Sequence, residues 1–339
     1  MRKLILFSLI LLGASLHPTL LNAQISFGGS PASFNFENYK LNSPVYEAVV
    51  DFDVRKLLEE DVEWNNSGNP PRCAKIITVC LNAVDNGEWT TLPDGTWIWH
   101  LEIYAPDALA VMLYYDKFII PQGGKLFLYN PDRTKVLGAY TEKTNTFGAE
   151  FATEFVSGDK IILEYTAPEA DEMFIPEIEI TGVAYGYNYL IVPEGKNSWN
   201  TRWGGSSDPC QVNINCPEGD EWQNEKKGIA RIISPAGGSY VTMCSGSLIN
   251  NTACDMDPLF LSAWHCYTGM SEAQMNQTTY YFHFEDPACP RLNTEQIPTV
   301  VTLVGAQSLV MIPIQGGSDG ALVRLNSAIP EHYDLYMNG

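Results

Sequence analysis

The side chains that could do chemistry sit mostly in three short words in the second half of the chain. Cys244-Ser245-Gly246-Ser247-Leu248-Ile249 comes first, Leu261-Ser262-Ala263-Trp264-His265-Cys266 second, and Ser318-Asp319-Gly320-Ala321-Leu322 third. Histidine, aspartate and hydroxyl groups are the parts of acyl-transfer chemistry. An imidazole within reach of a hydroxyl takes its proton and later returns it to a leaving amine, while a carboxylate fixes the imidazole tautomer and stabilises the imidazolium. The other histidines keep weaker company. His283 lies in the aromatic stretch Tyr280-Tyr281-Phe282-His283-Phe284-Glu285 and reads as packed or half-exposed, and His17, His100 and His332 have no partner word nearby. Asp255 and Asp257 fall in a polar loop and read as a solvated turn.

Eight cysteines are present: Cys73, Cys80, Cys210, Cys216, Cys244, Cys254, Cys266 and Cys289. A metal site needs tight clusters such as C-x-x-C with matching Cys or His pairs, and none is found. Disulfides in an oxidising compartment are the better reading, and no metal or other cofactor is expected.

The first residues agree with export. Arg2 and Lys3 precede the apolar run Leu4 to Leu12, and Leu21-Asn22-Ala23 offers a cleavage site, so 1–23 reads as a signal peptide. The run is too short to span a bilayer. The formal charge of −20 repels nucleic acid and anionic lipid surfaces, and no basic block offsets it, so neither is expected as a partner. The protein is expected to be secreted, extracellular or periplasmic.

Residues 24–187 read as short alternating strands with little helical periodicity. Tyr46 to Val54, Ala74 to Val84, Gly87 to Pro106 with its Pro93-Asp94-Gly95 turn, Ala110 to Ile120, Lys125 to Tyr129, Phe151 to Phe155 and Lys160 to Tyr165 carry the pattern. An all-β fold with a sandwich or jelly-roll-like front domain follows. Residues 188–209 lose the apolar pattern and read as a linker, with Lys196 and Arg202 as candidate cleavage points. From 210 to 339 the strands resume, at Gly228 to Ser234, Ser239 to Asn250, Leu259 to Cys266, Tyr280 to Glu285, Thr299 to Val304 and Ala321 to Leu325, enough for one small closed barrel.

The three words together resemble the trypsin-like serine proteases, where a C-x-G-S-L-I strand leads to an L-T-A-x-H-C turn and then a D-x-x-L strand. By that resemblance His265 is the general base and Asp319 the carboxylate that orients it, while Ser245 and Ser247 lie on the strand before the histidine and are not nucleophiles. The string from Cys210 to Asp220, CQVNINCPEGD, is similar to the start of the mature domain in the lysyl endopeptidase branch. This resemblance implies the pairs Cys244–Cys266 and Cys216–Cys289, with Cys210 bonded to a cysteine outside the sequence. Cys254 has no counterpart, and Cys73 with Cys80 are expected to form a separate bridge. The front domain resembles the propeptide of the same branch. Trp264 and Gly320 depart from the family pattern without removing either functional residue, Trp264 as a candidate to shape the cleft or cover the imidazole.

The resemblance implies a secreted serine endopeptidase precursor, a chymotrypsin-fold hydrolase acting on proteins or peptides after Lys or Arg, with its prodomain packed on the protease domain. No glycine-flanked serine loop is found before Gly339, so the sequence is expected to be a fragment truncated after the first barrel and inactive alone. The alternative is a non-catalytic secreted binding or adhesion protein with a degenerate protease barrel, for which Trp89, Trp97 and Trp99 are the candidate surface.

Overall fold

The computed structural model describes residues 26–36, 41–145, 150–188, 211–236, 238–285, 289 and 300–339. The signal peptide expected at 1–23, the candidate cleavage points Lys196 and Arg202, His17 and Cys210 lie outside the described residues. No described helix is long and apolar enough to cross a membrane.

In the front region the strands are β1 (Val45–Glu47), β2 (Arg72–Asn82), β3 (Glu88–Thr91), β4 (Trp97–Tyr104), β5 (Ala110–Ile119), β6 (Lys125–Tyr129), β7 (Val136–Tyr140), β8 (Phe151–Ala152), β9 (Val156–Ser157), β10 (Lys160–Thr166) and β11 (Glu177–Gly186). They form two layers. One sheet runs β1-β4-β10-β6-β7 with β3 on β4, and the other contains β2-β11-β5-β8. Period-two alternation fills the space between them. Trp99, Leu101 and Ile103 on β4 and Ile161, Leu163 and Tyr165 on β10 face Val111, Leu113 and Tyr115 on β5, all within one buried cluster. The expected sandwich is therefore present, and the fold is all-β.

The sequence 46–54 departs from the strand expected there. Only β1 is extended, and α1 (Val54–Asn66) follows, started by the Asp53 side chain accepting from the Arg55 amide. Its buried residues are Leu57 and Asp61, one turn apart. The charged remainder of the helix faces water, which hides it from a search for a broad apolar stripe.

The rear region contains β12 (Ile229–Ser234), β13 (Tyr240–Ile249), β14 (Leu259–Ala263), α2 (Glu272–Asn276), β15 (Thr279–Phe282), β16 (Val301–Val304), β17 (Ala306–Ile312) and β18 (Gly320–Leu325). Pairing runs β16-β15-β12-β13-β14-β18-β17, and the chain passes from β16 to β17 through Gly305 alone. These two strands are halves of one strand bent at Gly305, whose φ of +81° suits glycine, and the bend nearly closes the barrel. Phe260, Tyr280 and Phe282 meet edge-on in its centre, with ring centroids 5.0 and 6.2 Å from Phe260.

The layers do not stop at the boundary between the regions. β2 pairs antiparallel with the start of β13, Tyr240 opposite Lys75 and Val241 opposite Ala74, so one sheet of twelve strands runs from the front sandwich into the barrel. This explains why β5 reads as an unbroken apolar run. Val111, Leu113 and Tyr115 face the first sheet, while Ala110, Met112 and Tyr114 face a second cluster that includes Val241, Met243 and Tyr281 of the barrel.

Candidate functional site

The register of β14 against β18 positions the site. Ala263 lies opposite Gly320, Ser262 opposite Ala321 and Leu261 opposite Leu322. β14 then tightens into a 3-10 turn, Trp264–Cys266, just as β18 begins. The residue two past Ala263 and the residue one before Gly320 must therefore meet at the barrel rim, and they are His265 and Asp319. The Trp264 amide extends the ladder by donating to the Asp319 carbonyl at 2.9 Å.

The Asp319 carboxylate accepts twice from the same residue. The His265 amide donates to Oδ1 at 3.1 Å, and His265 Nδ1 lies 2.6 Å from Oδ2. An ionised carboxylate only accepts, so Nδ1 carries the proton and Nε2 is left as the basic nitrogen. The hydrogen bond from the His265 ring, then that from its amide, holds the Asp319 carboxyl below its ordinary pKa, so it stays ionised at neutral pH. Asp319 adopts a left-handed backbone, φ +56°, a conformation Asp tolerates better than most residues. The His265 side chain is 42 % exposed, open to a reactant.

Three further ties hold the turn. The Cys244–Cys266 disulfide, with Cα atoms 6.0 Å apart, joins it to β13. Ser262 Oγ donates to the Ser245 carbonyl at 2.7 Å. Tyr267, just past the turn, is buried with its hydroxyl 3.3 Å from that of Tyr280. The sulfurs of Cys244 and Cys266 lie near His265, but bonded to each other they offer no thiolate to a metal. A second disulfide joins Cys216 to Cys289.

Residues 204–339 match the family described as lysyl endopeptidase, C-terminal domain. The match and the barrel fit a lysyl endopeptidase-like protease. The matched stretch contains the three sequence words, both disulfides and the His265–Asp319 pair.

Other candidates fall elsewhere. Ser247 Oγ donates to the Leu248 carbonyl and accepts from Asn338 Nδ2 at 2.8 Å, while Ser245 is opposite Arg231 in the ladder. Among the described residues no serine hydroxyl is hydrogen-bonded to the His265 ring. His100 is buried with Nδ1 3.1 Å from Ser43 Oγ, its pKa lowered by burial. His332 meets Tyr333 edge-on. His283 is half-buried, with its Nε2 shielded from water, and it borders a cleft of about 670 Å³ beside Trp222 and Glu225.

Two expectations need correction. Cys73 and Cys80 are both free. They lie on one extended strand, about 23 Å apart at the usual rise, far beyond disulfide reach. Cys73 is buried, and burial pushes its thiol up to about 12, so it is a packed, protonated group. Asp257 is more than a solvated turn residue, because Arg324 grips both its oxygens at 2.8 Å. No spacing in the sequence signals this pair, which depends on β18 returning beside the loop before β14. Of the aromatic candidates, Trp99 is fully buried with its indole N–H donated to the Asn86 carbonyl, and Trp89 and Trp97 stack on each other at 3.9 Å.

Proposed function

We propose that the chain is the precursor of a secreted serine endopeptidase with His265 as general base and Asp319 as the carboxylate that orients it. The observation that carries the reading is the 2.6 Å contact between His265 Nδ1 and Asp319 Oδ2 on an exposed rim, inside the stretch that matches a lysyl endopeptidase domain. In this reading Nε2 takes the proton of a serine hydroxyl as its oxygen bonds to the scissile carbonyl carbon. The imidazolium is stabilised by Asp319, and the proton passes to the departing amine as the C–N bond breaks. This reading requires a serine hydroxyl and oxyanion donors beside Nε2. The signal at 1–23 directs secretion, and cutting near Lys196 or Arg202 breaks the chain between the front region and the protease domain. Cleavage after Lys or Arg is the expected specificity.

The test is hydrolysis of peptide substrates ending in Lys, Arg or Ala by the natural gene product purified from culture medium, beside its His265→Ala variant. The expected result is turnover of Lys or Arg substrates and a fall in kcat/KM of about 10⁴-fold or more in the variant. Equal activity of the two proteins would sink the assignment.

A further inference from the structure

The front region and the barrel are joined by more than the intervening chain. At the strand junction the Ile76 amide donates to the Ser239 carbonyl at 2.8 Å, and the Met243 amide donates to the Pro71 carbonyl at 2.9 Å. Beside it, Ala74, Met112 and Tyr114 from the front share a buried cluster with Val241, Met243 and Tyr281 from the barrel. Side-chain hydrogen bonds cross the same boundary, among them Phe155 N to Tyr281 Oη at 3.2 Å, Gln277 Nε2 to the Tyr115 carbonyl at 3.0 Å and Asn276 Nδ2 to Glu150 Oε2 at 3.3 Å. Tyr240 lies between two cations, with the Arg72 guanidinium 4.3 Å and the Lys75 ammonium 4.5 Å from its ring centre. Arg72 is held for this contact by Asp61, 2.5 Å from its Nε, and Asp61 also accepts from the Tyr187 hydroxyl. Strand addition supported by an apolar cluster and a cation-clasped aromatic is how separate chains recognise one another.

We infer that this face of the barrel, β12, the start of β13 and β15, binds the front region as an independent polypeptide, so that cutting the connection leaves a non-covalent two-chain protein. The outer face of β5 explains why separation is unfavourable: Ala110, Met112 and Tyr114 would be bared to water. None of the hydrogen bonds or ion pairs from the front region reaches His265 or Asp319 among the described residues. The front region is thus a clamp on the barrel wall and does not plug the imidazole. The inference rests on reading 188–209 as a connection, and is independent of the catalytic role of His265, which peptide hydrolysis tests separately.

The experiment replaces residues 196–202 of the full chain with the recognition sequence of a site-specific protease. After complete scission, verified on a denaturing gel, the sample is run at micromolar concentration on a sizing column with light scattering. Both fragments are expected to elute together at the mass of the uncut chain. Elution as two separate species overturns the inference. A Tyr240→Ala version keeps the buried cluster and removes both cation contacts, and is expected to raise the dissociation constant by about 5- to 30-fold. An unchanged constant would show that the Tyr240 clasp does not hold the two pieces together.

Discussion

Replacing Cys244 and Cys266 together by alanine separates two contributions to the rim. The bridge closes a sequence separation of 22 residues. In the chain-entropy treatment a loop of that length lowers the entropy of the unfolded chain by about 11 cal/mol/K, which is about 3.4 kcal/mol at 25 °C. The His265–Asp319 contact has other support: the Ala263–Gly320 register, the Trp264 amide on the Asp319 carbonyl and the Ser262 hydroxyl on the Ser245 carbonyl. The double variant is therefore expected to unfold more readily while keeping its dyad. With a urea slope of about 1–3 kcal/mol/M, the midpoint should fall by about 1–3 M, read by tryptophan fluorescence. The downfield proton on His265 Nδ1, read by NMR, should persist below the transition. A midpoint shifted by only a few tenths molar would refute the entropic reasoning. Loss of the proton signal in a folded variant would show that the disulfide itself sets the dyad geometry.

Other outcomes follow from the same geometry. Asp319→Asn keeps a residue type that tolerates the left-handed backbone but puts an amide N–H donor in place of one carboxylate acceptor, so the imidazole tautomer is no longer fixed and kcat/KM of the proposed protease should fall about 10⁴-fold without unfolding. Because the folded state holds the Asp319 carboxyl below its ordinary pKa of 3.8, its stabilisation is in full force above that value and is lost as pH falls through the lower folded value. The stability gap between wild type and Asp319→Asn should thus close on acidification, measured as urea midpoints from about pH 6 to about pH 3. Phe260→Ala removes a fully buried ring from the barrel centre and should cost about 3–5 kcal/mol of unfolding free energy. At Gly246 an added Cβ would lie 2.4 Å from the Phe260 ring and 2.5 Å from the Leu261 carbonyl, so Gly246→Ala should lower the thermal midpoint through overpacking of about 1–3 kcal/mol.

Much of the barrel was legible because its strands alternate and its turns are short. The stretch Ser239 to Asn250 corresponds to β13, and Ala321 to Leu325 to β18, within a residue or two. The contact of His265 with Asp319 followed from resemblance and then from register, since nothing local to either residue requires the other. β17 lacks a legible apolar pattern because the bend at Gly305 divides a single strand and its outer half is exposed. β11 was missed because its glycines and acids interrupt the apolar run, although its pairing partners on both sides bury it. The helix α1 was hidden by its mostly polar surface. Pairing between β2 and β13 was beyond reach, because period-two patterning tells which face is apolar and not which strand lies alongside.

The pairing of β2 also has a history in time. The chain is made from its N-terminus, and β11 can cover one side of β2 before the barrel exists. The other side waits for β13, whose Val241 lies 168 residues after Cys73. At roughly 5–20 residues per second that interval is roughly 8–34 s, during which a nascent chain presents an unsatisfied strand edge beside the bare apolar face of β5. Capture of that edge by a chaperone or by another chain in that window, before β13 emerges, would decide how much of the protein reaches its folded state.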